Sequence, residues 1–331
     1  MYISSARPDD KGAVTAVDSA TGERTWTTEL GGFPGALYLE SDADTLYVSA
    51  SNLKTVYLLD LETGEQLASA EIGDTQGAGA LADSTFVIGT NSGPGEDTLY
   101  GLHSETLAEQ WTVSSDLTGF NGAVTTDDAV TAAFRNGRVT GYDPSSGTEL
   151  WETDATIASP RHGPFSDQKG GVFAVHSSDN QLLRLDPSSG ERLWSSQLGT
   201  ETGRAAAVAP PSFDEGTLYL GADQRVMAVD IESGDSVWTQ DIGETVTSSV
   251  AIAKDVCWVV SEDSEDETTS LHGFHLDDGT AYYQGVPQAV SDLREASDTD
   301  EPLTLRQVSS TGDQLTLTAG KNVVGLRTEQ L

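Results

Sequence analysis

The stretch Asp143–Trp151, DPSSGTELW, returns 43 residues later as Asp186–Trp194, DPSSGERLW. Self-similarity at that period decides the fold before any single residue does. Asp18, Asp60, Asp143, Asp186 and Asp230 each stand four residues ahead of a glycine: Gly22, Gly64, Gly147, Gly190 and Gly234. Four residues further on come Trp26, Ala68, Trp151, Trp194 and Trp238. Two degenerate copies keep the spacing, His103–Leu107–Trp111 and His275–Gly279–Tyr283.

Each copy reads as a β-hairpin. Short β-type runs precede the Asp (Val139–Tyr142, Leu182–Leu185, Val226–Val229), and a second run follows the Gly. The Asp carboxylate accepts N–H groups of the turn, Pro144 and Pro187 pre-set φ at its first corner, and the Gly supplies the positive φ that closes it. The Trp then lies early on the outgoing strand, where it can bury roughly 150–250 Å² against a neighbouring copy, its N–H held by a backbone carbonyl. Such a hairpin needs a neighbour to cover its tryptophan.

Two further strands precede each hairpin, for example Gly35–Glu40 and Thr45–Ala50 ahead of Thr55–Asp60 and Glu65–Ile72, and Ala206–Pro210 and Ser248–Ala253 are the first strands expected in the two copies before the last. Four short strands every 40–45 residues is the blade period of an all-β propeller of four-stranded antiparallel blades. Residues 1–331 read as one propeller domain: 1–30 a partial first blade, 31–286 six full blades, 302–331 a partial last blade. That makes eight blades. Seven is the alternative, with Leu303–Val308 completing the first sheet. The ragged ends lead us to expect a closing strand, and a targeting signal, upstream of Met1. The best candidate for a helix is Val290–Ala296.

The chain carries 53 acidic and 17 basic residues, a net charge of −36. Carboxylates spread through every copy repel nucleic acid and anionic membranes. They suit molar salt, where a Debye length of about 3 Å screens their mutual repulsion. The source is therefore expected to be a salt-loving organism, and the fold to weaken at low salt. Cys257 is the single cysteine and lies in the apolar run VCWVV, so it reads as a buried packing residue. No run approaches the ~20 apolar residues of a transmembrane helix.

The pattern shared by VTAVDSATGERTW, GYDPSSGTELW, LRLDPSSGERLW and VMAVDIESGDSVW resembles the tryptophan-docking repeat of the PQQ-like β-propellers. The resemblance covers nearly the whole chain. It implies the scaffold, with Asp18, Gly22, Trp26 and their counterparts through Trp238 as structural motif residues. The family holds quinoprotein alcohol dehydrogenases, a propeller lipoprotein of outer-membrane protein assembly, and other secreted or lipid-anchored propellers. The dehydrogenases hold a quinone with Ca²⁺, an aspartate base, a stacking tryptophan and usually a vicinal disulfide, which one cysteine cannot form. Fold does not carry function here.

A propeller binds ligands on the face that collects the loops between blades and the loops joining second to third strands. Those loops hold Phe33, Phe120, Asn121, Arg161, His162 and Arg204, and also Asn91–Asp97, Arg135–Asn136 and Ser261–Ser270. Arg135, Arg161 and Arg204 can form a forked site for a carboxylate or phosphate, with His162 beside it as base or ligand; ion pairing with neighbouring carboxylates is the plainer reading. His103 and His275 take the turn position of the Asp, and His176 and His272 read as strand packing residues. The acidic run SEDSEDETT, Ser261–Thr269, lacks the ligand spacing of a calcium loop and reads as a solvated loop. No catalytic residue, metal site or cofactor is assigned; the quinone with Ca²⁺ is the cofactor held in reserve. The expectation is a monomeric, non-enzymatic binding or scaffold propeller. It would be secreted or at the cell surface, with the cytoplasm as alternative, and would take a protein partner or a small anionic ligand. The alternative is a reduced quinoprotein enzyme or small-anion binder using the central channel.

Overall fold

The computed structural model describes residues 2–6, 12–18, 21–32, 34–39, 44–50, 54–74, 79–91, 97–114, 117–126, 129–154, 163–167, 170–176, 179–199, 211–263, 266, 268–296, 304–319, 322–328 and 331. The chain divides into two compact units, Met1–Ser195 and Ser196–Leu331.

The first unit opens on a three-stranded sheet, β1 (Tyr2–Ala6), β2 (Gly12–Val17) and β3 (Arg24–Leu30). Three four-stranded sheets follow, each an antiparallel meander: β4 (Pro34–Leu39), β5 (Thr45–Ala50), β6 (Thr55–Asp60), β7 (Gln66–Glu71); β8 (Ala80–Ala82), β9 (Thr85–Gly89), β10 (Leu99–His103), β11 (Glu109–Val113); and β12 (Phe120–Thr125), β13 (Val130–Phe134), β14 (Arg138–Tyr142), β15 (Glu149–Asp154). A further sheet is β16 (Phe165–Ser166), β17 (Val172–His176), β18 (Gln181–Leu185) and β19 (Arg192–Gln197), and the division falls within β19.

The second unit holds β20 (Ser212–Asp214), β21 (Thr217–Ala222), β22 (Arg225–Asp230) and β23 (Ser236–Asp241), then β24 (Thr245–Val246), β25 (Ala251–Ala253), β26 (Val256–Asp263), β27 (Thr268–His275) and β28 (Ala281–Gly285). Helix α1 (Gln288–Ala296) precedes a last three-stranded sheet, β29 (Leu305–Thr311), β30 (Gln314–Ala319) and β31 (Asn322–Arg327). Among the described residues the strands make eight sheets, the first and last of three strands.

Two expectations change. The innermost strand expected at Ser248–Ala253 is broken into β24 and β25, both paired to β26. Ser248 breaks it, because its hydroxyl oxygen takes the Val260 N–H at 2.8 Å in place of a main-chain carbonyl. The inner strand of the next sheet back is β20, downstream of the expected Ala206–Pro210, which lie outside the described residues. The acidic run is also not all loop: β26 runs on to Asp263, β27 begins at Thr268, and Ser261 and Thr269 are buried.

The turn works as its residues demand. Oδ1 of Asp18, Asp60, Asp143, Asp186 and Asp230 accepts backbone N–H groups two or three residues on, at 2.7–3.1 Å. The hydroxyls of Thr63, Ser145 and Ser188, and then backbone N–H groups, hold Asp60, Asp143 and Asp186 below the usual carboxylate range. Gly22, Gly64, Gly147, Gly190, Gly234 and Gly279 all sit at φ of 69–77°. In the degenerate turn, His103 Nδ1 accepts the Glu105 N–H at 3.2 Å, as the Asp does elsewhere.

The tryptophan crosses to the next sheet. The indole N–H of Trp26 donates to Leu61 O at 3.1 Å, Trp111 to Pro144 O at 2.8 Å, Trp151 to Pro187 O at 2.7 Å and Trp238 to Leu276 O at 2.7 Å. Each acceptor follows the Asp position of the next turn. The indole face meanwhile presses on that turn's glycine. A Cβ on Gly64, Gly147, Gly190 or Gly279 would stand 2.3–2.6 Å from the ring. On its own sheet each of these tryptophans lies opposite a small residue: Ala16, Gly101, Gly141 or Ala228. Trp194 packs on Phe173, ring centroids 5.9 Å apart.

One junction lacks the indole and shows what replaces it. Where β7 carries Ala68, its cross-strand neighbour is the large Leu58. The facing turn has Leu107 at φ 55° in the glycine's place. Leu58, Ala68 and Leu107 join one apolar cluster. The carbonyl that a tryptophan would bind, Ser104 O, is taken by the Tyr47 hydroxyl at 2.9 Å.

These contacts predict unequal costs for equal substitutions. Gly22 and Gly190 share a positive φ, but a Cβ on Gly22 meets nothing within 4 Å, whereas on Gly190 it strikes the Trp151 ring. In urea denaturation, Gly22→Ala is expected to lose about 1 kcal/mol for its left-handed backbone. Gly190→Ala should lose about 2 kcal/mol more for the steric overlap. Equal losses would contradict the indole contact.

Candidate functional site

Of the residues expected on the ligand face, Phe33, Arg161, His162 and Arg204 lie outside the described residues. Phe120, Asn121 and Arg135 are brought together around one loop. Asp97, itself buried, accepts the Gly119 N–H at 2.6 Å. Arg135 donates its backbone N–H to Gly119 O at 2.8 Å and lays its side-chain methylenes over Gly119. Its guanidinium end is on an exposed residue. Phe120 packs into the core beside Phe134, ring centroids 6.3 Å apart, and over Gly89.

Asn121 differs from its neighbours. A bulge between Phe120 and Gly122 sets it in β12, where it is 3% exposed. Among the described residues neither its amide oxygen nor its nitrogen has a hydrogen-bond partner. A buried, unpaired amide costs about 1–3 kcal/mol. It offers a donor and an acceptor together.

The structure also assembles a group that the sequence did not suggest. Register pairs Ser261 with Ser270, which places His272 diagonally across the strands from Ser261. Ser261 Oγ contacts Glu244 Oε2 and stands 2.8 Å from His272 Nε2; His272 Nε2 to Glu244 Oε2 is 3.5 Å. The carboxylate can only accept, so the Ser261 hydroxyl donates to it and a neutral His272 donates its Nε2–H to Ser261. Burial pushes the His272 pKa down, opposed by the hydrogen bond and charge of Glu244. His272 and Phe274 lie parallel, 6.2 Å apart, beneath a cleft of about 190 Å³ that Gln240, Tyr283 and Gln284 also line. This is not a nucleophilic relay. Ser261 is fully buried, and the carboxylate faces the same ring nitrogen as the serine instead of orienting the other one. His272 is thus a satisfied strand histidine. Sequence could not pair it with Glu244, 28 residues away, without the strand register.

The remaining titratable candidates are structural. Burial pushes the Cys257 thiol up to about 12, which removes its nucleophilic form at neutral pH. His176 Nδ1 lies 3.3 Å from Asp179. His275 Nδ1 lies 3.7 Å from Asp255. Among the described residues no cluster of His, Cys, Asp and Glu could hold a metal, and no helix is long and apolar enough to cross a membrane.

Comparison with known proteins follows the repeat. The family described as Outer membrane protein assembly factor BamB matches residues 10–177, 96–234 and 178–330. No curated protein matches the chain. Among solved structures, BamB from Moraxella catarrhalis is similar at 15% identity and TM-score 0.66, over 98% of this chain and 95% of that one. The C-terminal WD40 domain of Sif2 gives 10% identity and TM-score 0.70, over 98% and 91%. Quinohemoprotein alcohol dehydrogenase from Comamonas testosteroni gives 13% and 0.66, over 96% of this chain and 68% of its own. At these identities the likeness establishes an all-β propeller fold and nothing finer.

The depressed pKa of His272 sets a pH dependence. The unfolded chain takes up this proton more readily than the folded one. The stabilisation is therefore complete above the unfolded value of 6.5 and is lost as pH falls through the folded value. Thermal melts between pH 7.5 and 5 should show a falling Tm, and His272→Gln should flatten that slope. An unchanged slope in the variant would contradict the assignment.

Proposed function

The chain belongs to the PQQ-like β-propeller family of the outer membrane protein assembly factor BamB, and we propose that it is a non-enzymatic binding and scaffold member of that family. The observation that carries this reading is how its aromatic and apolar residues are used. Trp26, Trp111, Trp151 and Trp238 are consumed in holding sheets together. Trp258, outside the repeat series, is wholly buried against Tyr282 and Tyr283. None of these five offers a free face on which a quinone could stack.

Among the described residues, five of the eight large apolar side chains that are exposed recur in phase. Leu67, Leu150, Leu193, Val237 and Tyr282 each stand one residue before the tryptophan position of their sheet, 43–51% exposed. An exposed apolar side chain at this one position of five sheets supports a protein partner for the chain. The description of the family as an outer-membrane assembly factor supports a cell-surface or secreted location. The dispersed charge of −36 supports work in molar salt.

A second reading has one observation in its favour. The unpaired amide of Asn121, near Arg135, suits a small polar or anionic ligand, including the quinone of the dehydrogenase relatives. Titration with pyrroloquinoline quinone and Ca²⁺ in molar salt, read by thermal shift, separates the two. The scaffold reading expects no shift at ligand excess. A saturable rise in Tm that Asn121→Ala removes would replace it with the ligand-binding reading.

A further inference from the structure

One junction between sheets holds a cleft where another holds a tyrosine. Tyr100 on β10 and His272 on β27 each stand three residues before the turn position of their sheet. Their register is the same, Tyr100 opposite Thr112 and His272 opposite Gln284. The Tyr100 hydroxyl crosses to the preceding sheet and donates to Ile72 O at 3.0 Å. Ile72 lies four residues after the tryptophan position of that sheet, as Ile242 lies four after Trp238. Both are fixed alike. The Ile72 N–H donates to Lys54 O at 2.8 Å, and the Ile242 N–H to Gln224 O at 2.9 Å. The acceptor is thus repeated in the second unit, and the tyrosine is not.

His272 does not replace it. Its ring is turned to Ser261 on the adjoining strand, with Nε2 2.8 Å from the hydroxyl. Among the described residues no group donates to Ile242 O. The tyrosine's place is taken by the cleft of about 190 Å³, bounded by Gln240 and Ile242 on one side and by His272, Phe274, Ala281 and Gln284 on the other. An apolar cavity of about 150 Å³ is enough to hold benzene. The cleft opens to solvent where Ala281 and Gln284 are exposed. Asp241 lines it and Glu244 lies behind His272, so an anion is disfavoured there.

We propose that this cleft binds one uncharged phenolic ring, whose hydroxyl donates to Ile242 O as Tyr100 donates to Ile72 O. The ring takes the volume that a tyrosine takes at the other junction, beside Phe274 and the imidazole. The carbonyl without a donor selects for the hydroxyl. The site does not rest on the scaffold reading; an enzyme would carry it equally.

The test titrates the chain in molar salt with 4-fluorophenol, whose fluorine stands where a tyrosine ring joins its Cβ, and reads the fluorine NMR signal. Saturable binding is expected, at least about ten-fold tighter than that of fluorobenzene, which lacks the hydroxyl. His272→Tyr should abolish it by filling the cleft from within. Ala281→Phe should abolish it from the exposed side and keep Tm within about 2 °C, which serves if the first variant fails to fold. N-acetyl-tyrosine amide then identifies the source of the ring, and either result upholds the site. Displacement of 4-fluorophenol assigns the cleft to a tyrosine of a polypeptide, and no displacement assigns it to a free phenol. No saturable binding, equal binding of fluorobenzene, or binding that survives Ala281→Phe would overturn the proposal.

Discussion

The contact between a tryptophan of one sheet and the turn of the next is the constraint on which the rest depends. It combines two demands that conflict at most positions. The indole N–H must find a carbonyl while its ring is buried, and the turn that provides the carbonyl must have no side chain under the ring. Glycine in the left-handed region meets both, because it closes the hairpin and leaves its face bare. The Asp then fixes the turn so that the carbonyl after it points outward, as Pro144 O and Pro187 O do toward Trp111 and Trp151. One hairpin thus serves as closure for its own sheet and socket for the preceding one.

The exception supports the rule. At the junction of Ala68, the lost indole volume is restored from the other side by Leu107 and from below by Leu58, and the Ser104 carbonyl is satisfied by Tyr47. Leu58, Ala68 and Leu107 share one packing volume. The tyrosine contact is kept from the sheets that have the indole, where Tyr2 and Tyr219 reach Leu61 O and Leu276 O beside Trp26 and Trp238. Leu107 accepts a positive φ that costs about 1–2 kcal/mol, which its burial offsets. Several of the many carboxylates are likewise structural. Asp60, Asp143 and Asp186 are surface groups whose oxygens hold turn N–H groups.

Much of this is legible in the sequence because it is local and repeated. The Asp–Gly–Trp spacing names the hairpin, and its period names the architecture; even Val290–Ala296 lies within the observed helix. What is not legible depends on register or on compensation. Ser248 splits a strand by using a side-chain oxygen where a carbonyl was expected, which no period reveals. His272 meets Glu244 only through the pairing of β26 with β27. The sequence reads Asn121 as a loop residue, whereas the structure sets it in β12, and its buried amide arises from a bulge that strand spacing does not encode. Cys257 is readable as packing because an apolar strand surrounds it on both sides.

The most direct measurement is a double-mutant cycle across one junction, patterned on the natural exception. Trp151→Ala should cost about 3–5 kcal/mol by urea denaturation in molar salt. Gly190→Leu alone should also destabilise strongly, because the indole occupies the space that the leucine needs. Together they recreate the pairing of Ala68 with Leu107, so the double variant should be more stable than the sum of the single losses by about 1–3 kcal/mol. Strict additivity would mean that the tryptophan and the glycine do not share one socket, and the account of how these sheets are joined would fail.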